Sequence, residues 1–334
     1  MCSELFHAPK TLQIIKKKMS NAVLGIDTSN YTTSAAYFDT DSFEVKQSKK
    51  LLPVKKGEKG IRQSDAVFHH TVQLPIMLEG LGDIKDICAV GVSDRPSCRK
   101  DSYMPCFLVG LGLAKGISYA KNIAYYSTTH QAGHILAALY SADKLDLVRS
   151  DESFLSFHVS GGTTDMLLVT PCGIDDGLLS IERIGGSNDL KAGQLIDRCG
   201  VMLGLDFPCG IELEKLAFSC DEKFRHKISV KNGECSLSGY ENKLKKLYDE
   251  GAEPSYIAKY CLSAVGTAVH ELTRYSLSEL GRDTSVVYAG GVMSDKIIAD
   301  MLSEDFDAYF AEPQFSCDNA VGVAVYSAFM KGLI

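Results

Sequence analysis

The sequence predicts an α/β protein made of two similar lobes, and three observations carry that expectation. Strand-like apolar runs alternate with helical stretches from residue 23 onward. A strand–turn–strand passage at 24–37, LGIDTSNYTTSAAY, is echoed in the second half at 157–169 by FHVSGGTTDMLLV. The length of 334 residues exceeds what one ordinary domain needs.

Taken in order, the strands are expected at 23–26, 34–38, 87–92, 123–126, 154–159, 166–169 and 286–289. Each is a short Val/Ile/Leu/Phe-rich or alternating run bounded by Gly, Ser, Asn or Asp. Helices are expected at 64–80, 105–121, 130–141, 189–203, 210–218, 255–280 and 318–330, with another starting near Ser294. Residues 1–21 read as an extension outside the fold, with Lys16–Lys18 ahead of Met19 and Met19 as a possible natural start. The division expected is 22–128 plus 318–334 for one lobe and 129–317 for the other.

Composition narrows the function. There are 35 Lys+Arg against 42 Asp+Glu, a net charge of −7, so any nucleic-acid contact has to use a local basic patch. No apolar run reaches the length of a membrane span. The eleven cysteines include no C-x-x-C pair, which fits reduced thiols in a cytoplasmic protein better than a disulfide framework or zinc ribbon.

Several motifs bear chemistry. His130 and His134 stand at i and i+4, on one face of a helix and close enough to share one metal ion; eight histidines in the chain also allow such a pair by chance. Gln131 follows His130 where a zincin peptidase needs its glutamate base, which argues against that protease mechanism. The loop Ser160-Gly161-Gly162-Thr163 after Val159 lets main-chain N–H groups and hydroxyls approach a phosphate, although Ser-Gly-Gly is also an ordinary turn. Ala289-Gly290-Gly291-Val292 repeats the device at a strand-to-helix junction, as a nucleotide rest or a plain tight turn. Gly193 and Asp197 lie a helical turn apart, so Asp197 either meets ribose hydroxyls or pairs with Arg198 or Lys191. The run at 49–62 carries six cations and one anion and reads equally as a phosphate-backbone patch or a solvated loop. Lys243, Lys245 and Lys246 read as a helix surface.

In order along the chain, L-G-I-D-T-S, H-x-x-x-Q-L-P with His70, L-V-G-L-G-L-A-K-G, H-Q-A-G-H, V-S-G-G-T, D-x-x-A-G-Q-x-x-D, P-C-G-I-E-L-E-K-L-A, S-L-S-G, A-G-G-V and C-D-N resemble the TsaD/Kae family. These are tRNA threonylcarbamoyl-adenosine transferases, once labelled O-sialoglycoprotein endopeptidases. The resemblance spans about 23–329. It implies the duplicated actin-like ATPase (ASKHA) architecture, with a nucleotide cleft between two lobes. It also implies that His130, His134 and Asp318 bind one divalent metal, iron or zinc. Val159, Ser160, Gly161, Gly162 and Thr163 would then line the phosphate and carbamoyl region, and Asp197 with Gly210 the ribose and base. Asp295 stands where the family has a base-contacting asparagine.

The implied reaction moves threonylcarbamoyl from threonylcarbamoyl-AMP to N6 of the adenosine 3′ of the anticodon, in tRNAs reading codons that begin with A. Implied partners are a TsaB-like small paralogous subunit, a TsaE-like ATPase and tRNA. The chain departs from the family pattern around the site. Asn30-Tyr31-Thr32 replaces two acids, 94–103 replaces a glycine-rich loop, and Thr163, Gln194, Cys209 and Asp295 replace the family's residues. It therefore reads as a divergent bacterial paralog with its metal ligands retained. The alternatives are a non-catalytic or regulatory nucleotide-binding paralog and a small-molecule kinase of the same superfold.

Overall fold

The structure, a computed structural model, describes residues 21–29, 31–53, 61–84, 86–99, 101–281 and 283–334. Of the extension expected over 1–21, residues 1–20 with Met19 lie outside the described residues, as do Lys55, Lys56 and Lys59 of the cationic run, while Asn21 belongs to the fold, its carbonyl accepting from Thr40 N at 3.0 Å.

The first half runs β1 (Ala22–Thr28), β2 (Thr32–Asp39), β3 (Glu44–Leu51), α1 (Gln63–Glu79), β4 (Ala89–Arg95), α2 (Phe107–Lys121), β5 (Ala124–Thr129) and α3 (His130–Ser141). Its strands form a sheet in the order β3-β2-β1-β4-β5. β1 is buried along its whole length, which suits a strand rich in Ala, Val, Leu and Ile. It pairs antiparallel with β2 and parallel with β4.

The second half runs β6 (Phe154–Val159), β7 (Thr164–Gly173), β8 (Leu178–Ser187), α4 (Ala192–Met202), α5 (Gly210–Ala217), β9 (Glu234–Cys235), α6 (Ser238–Asp249) and α7 (Pro254–Leu280). It continues with β10 (Val286–Ala289), α8 (Lys296–Ser303), β11 (Ala308–Phe310), α9 (Pro313–Ser316) and α10 (Val321–Lys331). The second sheet has the order β11-β10-β6-β7-β8-β9, with β6 and β7 antiparallel and β10 parallel to β6. The strand–turn–strand echo in the sequence is thus two antiparallel hairpins, β1–β2 and β6–β7, each in the middle of its sheet.

Three expectations need correction. Glu44–Leu51 is a strand that apolar patterning does not reveal, because it is a lysine-rich edge. The helix expected from 189 begins at Ala192; Asp189 stands before it and accepts hydrogen bonds from Leu190 N (2.6 Å) and Leu237 N (2.9 Å). The helix expected from 318 begins at Val321, leaving Asp318 in the preceding loop.

One helix pair positions the site. α10 crosses back to pack on β1 and β4 and lies along α3, with apolar side chains from both hairpin regions in one buried cluster. The helices meet backbone to backbone: a Cβ at Gly322 would collide with the Gly133 carbonyl oxygen. The N-terminus of α3 and the loop entering α10 are held side by side.

Candidate metal centre and substrate cleft

α3 starts at His130 because Thr129 caps it, its hydroxyl accepting from Ala132 N at 3.0 Å. Helical spacing then brings the two imidazoles together, with Nε2 of His130 and Nε2 of His134 2.9 Å apart. Asp318 Oδ1 lies 3.5 Å from the first and 3.3 Å from the second. All three donor atoms fall within 4.8 Å of one another.

The surroundings orient these donors. Nδ1 of His130 faces Oδ2 of Asp27 at 3.1 Å, so the proton belongs on Nδ1 and the Nε2 lone pair is left for a cation. Asp27 is fully buried and also accepts from the Ser93 hydroxyl. Thr32 Oγ1 donates to Oδ2 of Asp318 at 3.1 Å, leaving Oδ1 turned to the histidines. Two imidazoles and one carboxylate, with His130 and Asp318 each engaged on the far side, fit a divalent ion and leave coordination positions open for a ligand.

Burial works to lower His130, but the Asp27 carboxylate, helped by Asp318, outweighs it and pushes His130 up to about 10. The same carboxylates thus favour a proton on His130, which a metal ion binding at Nε2 has to displace. Burial and the neighbouring His130 lower His134. Burial acts to raise Asp318, and hydrogen bonds from both histidines overcome it, holding the carboxyl well below the usual range. The site keeps Asp318 anionic, as a metal donor must be.

A cavity of about 300 Å³ opens beside this cluster. His130, His134 and Asp318 form one wall, and Ser160, Thr163 and Asp165 line it from the second hairpin. Ser29, Tyr31, Pro96 and Ser97 contribute from the first lobe, so the replaced loop at 94–103 borders the cleft. His158, one strand residue before Val159, also lines it and stands edge-on to His134 with ring centroids 4.4 Å apart. Burial, with His134 beside it, lowers His158 well below the ordinary value.

The loop at Ser160–Thr163 closes on itself through Ser160 N to Thr163 O (2.9 Å) and paired Ser160 and Thr163 hydroxyls (2.9 Å). A Cβ on Gly161 or Gly162 would meet nothing within 4 Å. Gly193, at the start of α4, is the opposite case: its Cβ would lie 2.6 Å from both Gly161 N and Ser160 O. Gly290, at φ +98°, packs against Val159 in the same way. Three glycine junctions therefore meet at the end of β6.

Asp197, Gly210 and Asp295 do not line this cavity. Asp197 is neither free nor paired with Arg198 or Lys191; its Oδ1 accepts from Cys209 N at 2.9 Å, bringing it beside Gly210. Arg198 pairs with Glu241 instead. Asp295 caps α8, accepting from Ile298 N at 3.0 Å, and burial pushes its carboxyl up to about 6. Its neighbour Lys296 N donates to Glu214 of α5 at 2.7 Å, so α5 and α8 meet at this point. His70 is fully buried, with Nδ1 2.8 Å from Thr33 Oγ1, behind the first hairpin and away from the cavity.

Sequence reading missed the supporting roles of Asp27, Thr32 and Ser93, and missed His158 altogether. The signal for Asp27 was an acid inside an otherwise apolar central strand, which has to be satisfied by something.

Comparison with known proteins identifies the family and the fold. The family model for TsaD, described as tRNA N6-adenosine threonylcarbamoyltransferase, matches residues 53–325. A protein of that description from Thermodesulfovibrio yellowstonii is 30% identical, covering 93% of this chain and 96% of its own. One from Thermosipho africanus is 28% identical, covering 93% and 95%. Among solved structures, full-length HypF in its phosphate- and nucleotide-bound form superposes with a TM-score of 0.58 at 14% identity, over 93% of this chain and 46% of that one. Component A of the Acidaminococcus fermentans (R)-2-hydroxyglutaryl-CoA dehydratase gives 0.53 at 15%, over 94% and 99%. These likenesses place the two sheets in the actin-like two-lobe fold. By its match to the family model and to full-length relatives, the chain belongs to the tRNA N6-adenosine threonylcarbamoyltransferase family.

Proposed function

We propose that this chain transfers the threonylcarbamoyl group from threonylcarbamoyl-AMP to N6 of the adenosine 3′ of the anticodon, with His130, His134 and Asp318 holding one iron or zinc ion. The observation that carries the reading is the convergence of that donor set and the Ser160–Thr163 loop on one cavity, in a member of this family. A bound divalent ion supplies Lewis-acid polarisation and a fixed point for orienting the acyl-adenylate.

The chain's own residues do the rest. Asp27 and Thr32 keep the donors aimed. Ser160, Gly161, Gly162 and Thr163, following Val159, offer hydroxyls and unobstructed main chain to the phosphate and carbamoyl groups. Asp197 with Gly210 would take the ribose, and Asp295 the base. The N6 amine forms a bond to the carbamoyl carbon and gives up a proton, the bond from that carbon to the phosphate oxygen breaks, and AMP leaves. Holding both reactants in one cleft accounts for much of the acceleration, because the amine is a weak nucleophile.

In this reading the chain works in the cytoplasm with a TsaB-like paralogous subunit and a TsaE-like ATPase. No helix among the described residues is long and apolar enough to cross a membrane, and the ten described cysteines are free. Phe68, Val72 and Ile76 form an exposed apolar stripe on α1 that suits a partner helix.

The test is modification analysis of tRNA from a strain lacking the activity, complemented by this chain. Return of the modified adenosine with the natural sequence, and its absence with His134→Ala, is the expected result. Persistent absence with the natural chain and its partner subunits present rejects the reading.

A further inference from the structure

The chain is acidic, yet the stretch 223–246 carries seven Lys+Arg against two Glu. Its two carboxylates are already taken: Glu234 by Arg183 at 2.5 Å and Glu241 by Arg198 at 2.8 Å. Lys223, Arg225, Lys227 and Lys231 are all exposed, and so are Lys243, Lys245 and Lys246 on α6. Asp221 and Glu222 precede the stretch, and Lys246 reaches Glu250 at 3.7 Å, so the available cations centre on 223–231 and Lys243 and Lys245.

This segment is not a loose solvated run. Exposure alternates along it, and the residues between the cations turn inward. Phe224 packs edge-on against Tyr256 and Tyr260, with centroids 4.9 and 5.1 Å away, and His226 packs against Tyr260 and Tyr240 at 4.6 and 5.3 Å. Tyr240 also donates its hydroxyl to Lys227 O at 3.2 Å, and Lys243 lies over the Tyr240 ring at 4.2 Å. Aromatic packing thus pins the backbone and presents the cations as a fixed row, with little ordering entropy left to lose on binding.

The row is also tied to the cleft. Asp165 lines the cavity and accepts from Arg183 Nε at 2.8 Å, while the same guanidinium grips Glu234 at the end of the segment. Asp189 joins Leu237 N to the approach of α4, whose Gly193 abuts the Ser160–Gly161 loop.

Resting on the proposed acceptor, we infer that the 223–231 strap with Lys243 and Lys245 is a docking surface for the tRNA sugar–phosphate backbone. Charge complementarity selects a polyanion, and the absence of exposed large apolar side chains among residues 223–246 favours RNA over a lipid surface, into which a protein inserts such groups.

The experiment measures anisotropy of a labelled, unmodified tRNA with the full chain between about 50 and 200 mM salt. The variants are Lys223→Ala/Arg225→Ala/Lys227→Ala, Lys243→Ala/Lys245→Ala, and a first-lobe control, Lys115→Ala/Lys121→Ala. The triple variant is expected to bind at least about tenfold more weakly. The slope of log affinity against log salt should flatten by about 0.7–0.9 for each phosphate no longer neutralised, while AMP binding and metal content hold. The control should match the natural chain. An unchanged slope in both strap variants overturns the inference, as does a natural chain that retains no tRNA or that binds anionic vesicles in its place. The two readings fail separately: strap-dependent tRNA binding without transfer removes the proposed reaction only, and transfer with an unchanged KM for tRNA in the triple variant removes the docking surface only.

Discussion

The two hairpins share a design and spend it differently. In β1–β2, nearly every polar group near the turn is consumed inside the protein. Thr28 donates to Cys106 O at 3.0 Å and accepts from Gly110 N, Thr33 engages His70 and Gln73, Asp27 holds His130, and Thr32 holds Asp318. In β6–β7 the turn hydroxyls pair with each other, Ser160 O and Thr164 Oγ1 accept from Gly193 N (3.3 Å) and Ala192 N (2.8 Å) at the start of α4, and the two glycines face open space. A duplicated frame has thus become one support for the metal donors and one open platform for a ligand. Burial decides the division: Asp27, Thr28, Ser29, Thr32 and Thr33 are all buried, whereas Gly161 and Gly162 are exposed.

The sharpest way to break the comparison is to remove a donor that the first hairpin supports. Asp318→Ala is expected to abolish both metal retention, read by elemental analysis, and tRNA modification. Full metal occupancy in that variant would show that the cluster is not the centre. Next in size is Asp27→Asn, which keeps the shape but weakens the grip on His130. It should lower metal affinity about 10–100-fold, measured by competition with a chelator, while the fold stays intact.

The glycines around the second hairpin give a paired test. Gly193→Ala forces a Cβ against the Ser160–Gly161 backbone and should cost about 1–3 kcal/mol in urea unfolding. Gly162→Ala has room, so its stability should stay within about 0.5 kcal/mol while nucleotide binding weakens. Equal stability losses would show that the platform is packed and not open.

The smallest effect concerns Asp295. Its carboxyl is raised to about 6 by burial, so the protonated form suits the fold. That advantage is complete below the unfolded value near 3.8 and is lost as pH rises through about 6, above which a buried charge remains. Asp295→Asn keeps the helix cap and should add about 1–2 kcal/mol at pH 8 and almost nothing below pH 4, seen in unfolding curves at the two pH values.

The sequence showed the alternation, the two hairpins and the i,i+4 histidines directly, because local periodicity encodes all three. It hid β3, whose lysines mark an edge, and β8, whose mixed pattern ends in Gly185-Gly186-Ser187. Asp318 entered the candidate site only through the family resemblance, since it lies far along the chain from His130 and no spacing rule connects them. An acid inside the apolar β1 marked Asp27 as needing a partner, but that the partner is His130, and that His158 joins the cleft, emerges only once β1, α3 and β6 lie side by side. Asp197 had two local readings, salt bridge or ligand group, and the structure rejects the first by giving its carboxylate to Cys209 N.

The close approach of Gly133 and Gly322 bears on how this centre ages under mutation. With no side chain between α3 and α10 at that point, the separation of the imidazoles from the carboxylate is set by two touching backbones. The metal-binding geometry is thereby built into the protein's keel, and a single methyl group added at Gly322, which would meet the Gly133 carbonyl, would register as a mis-spaced donor set.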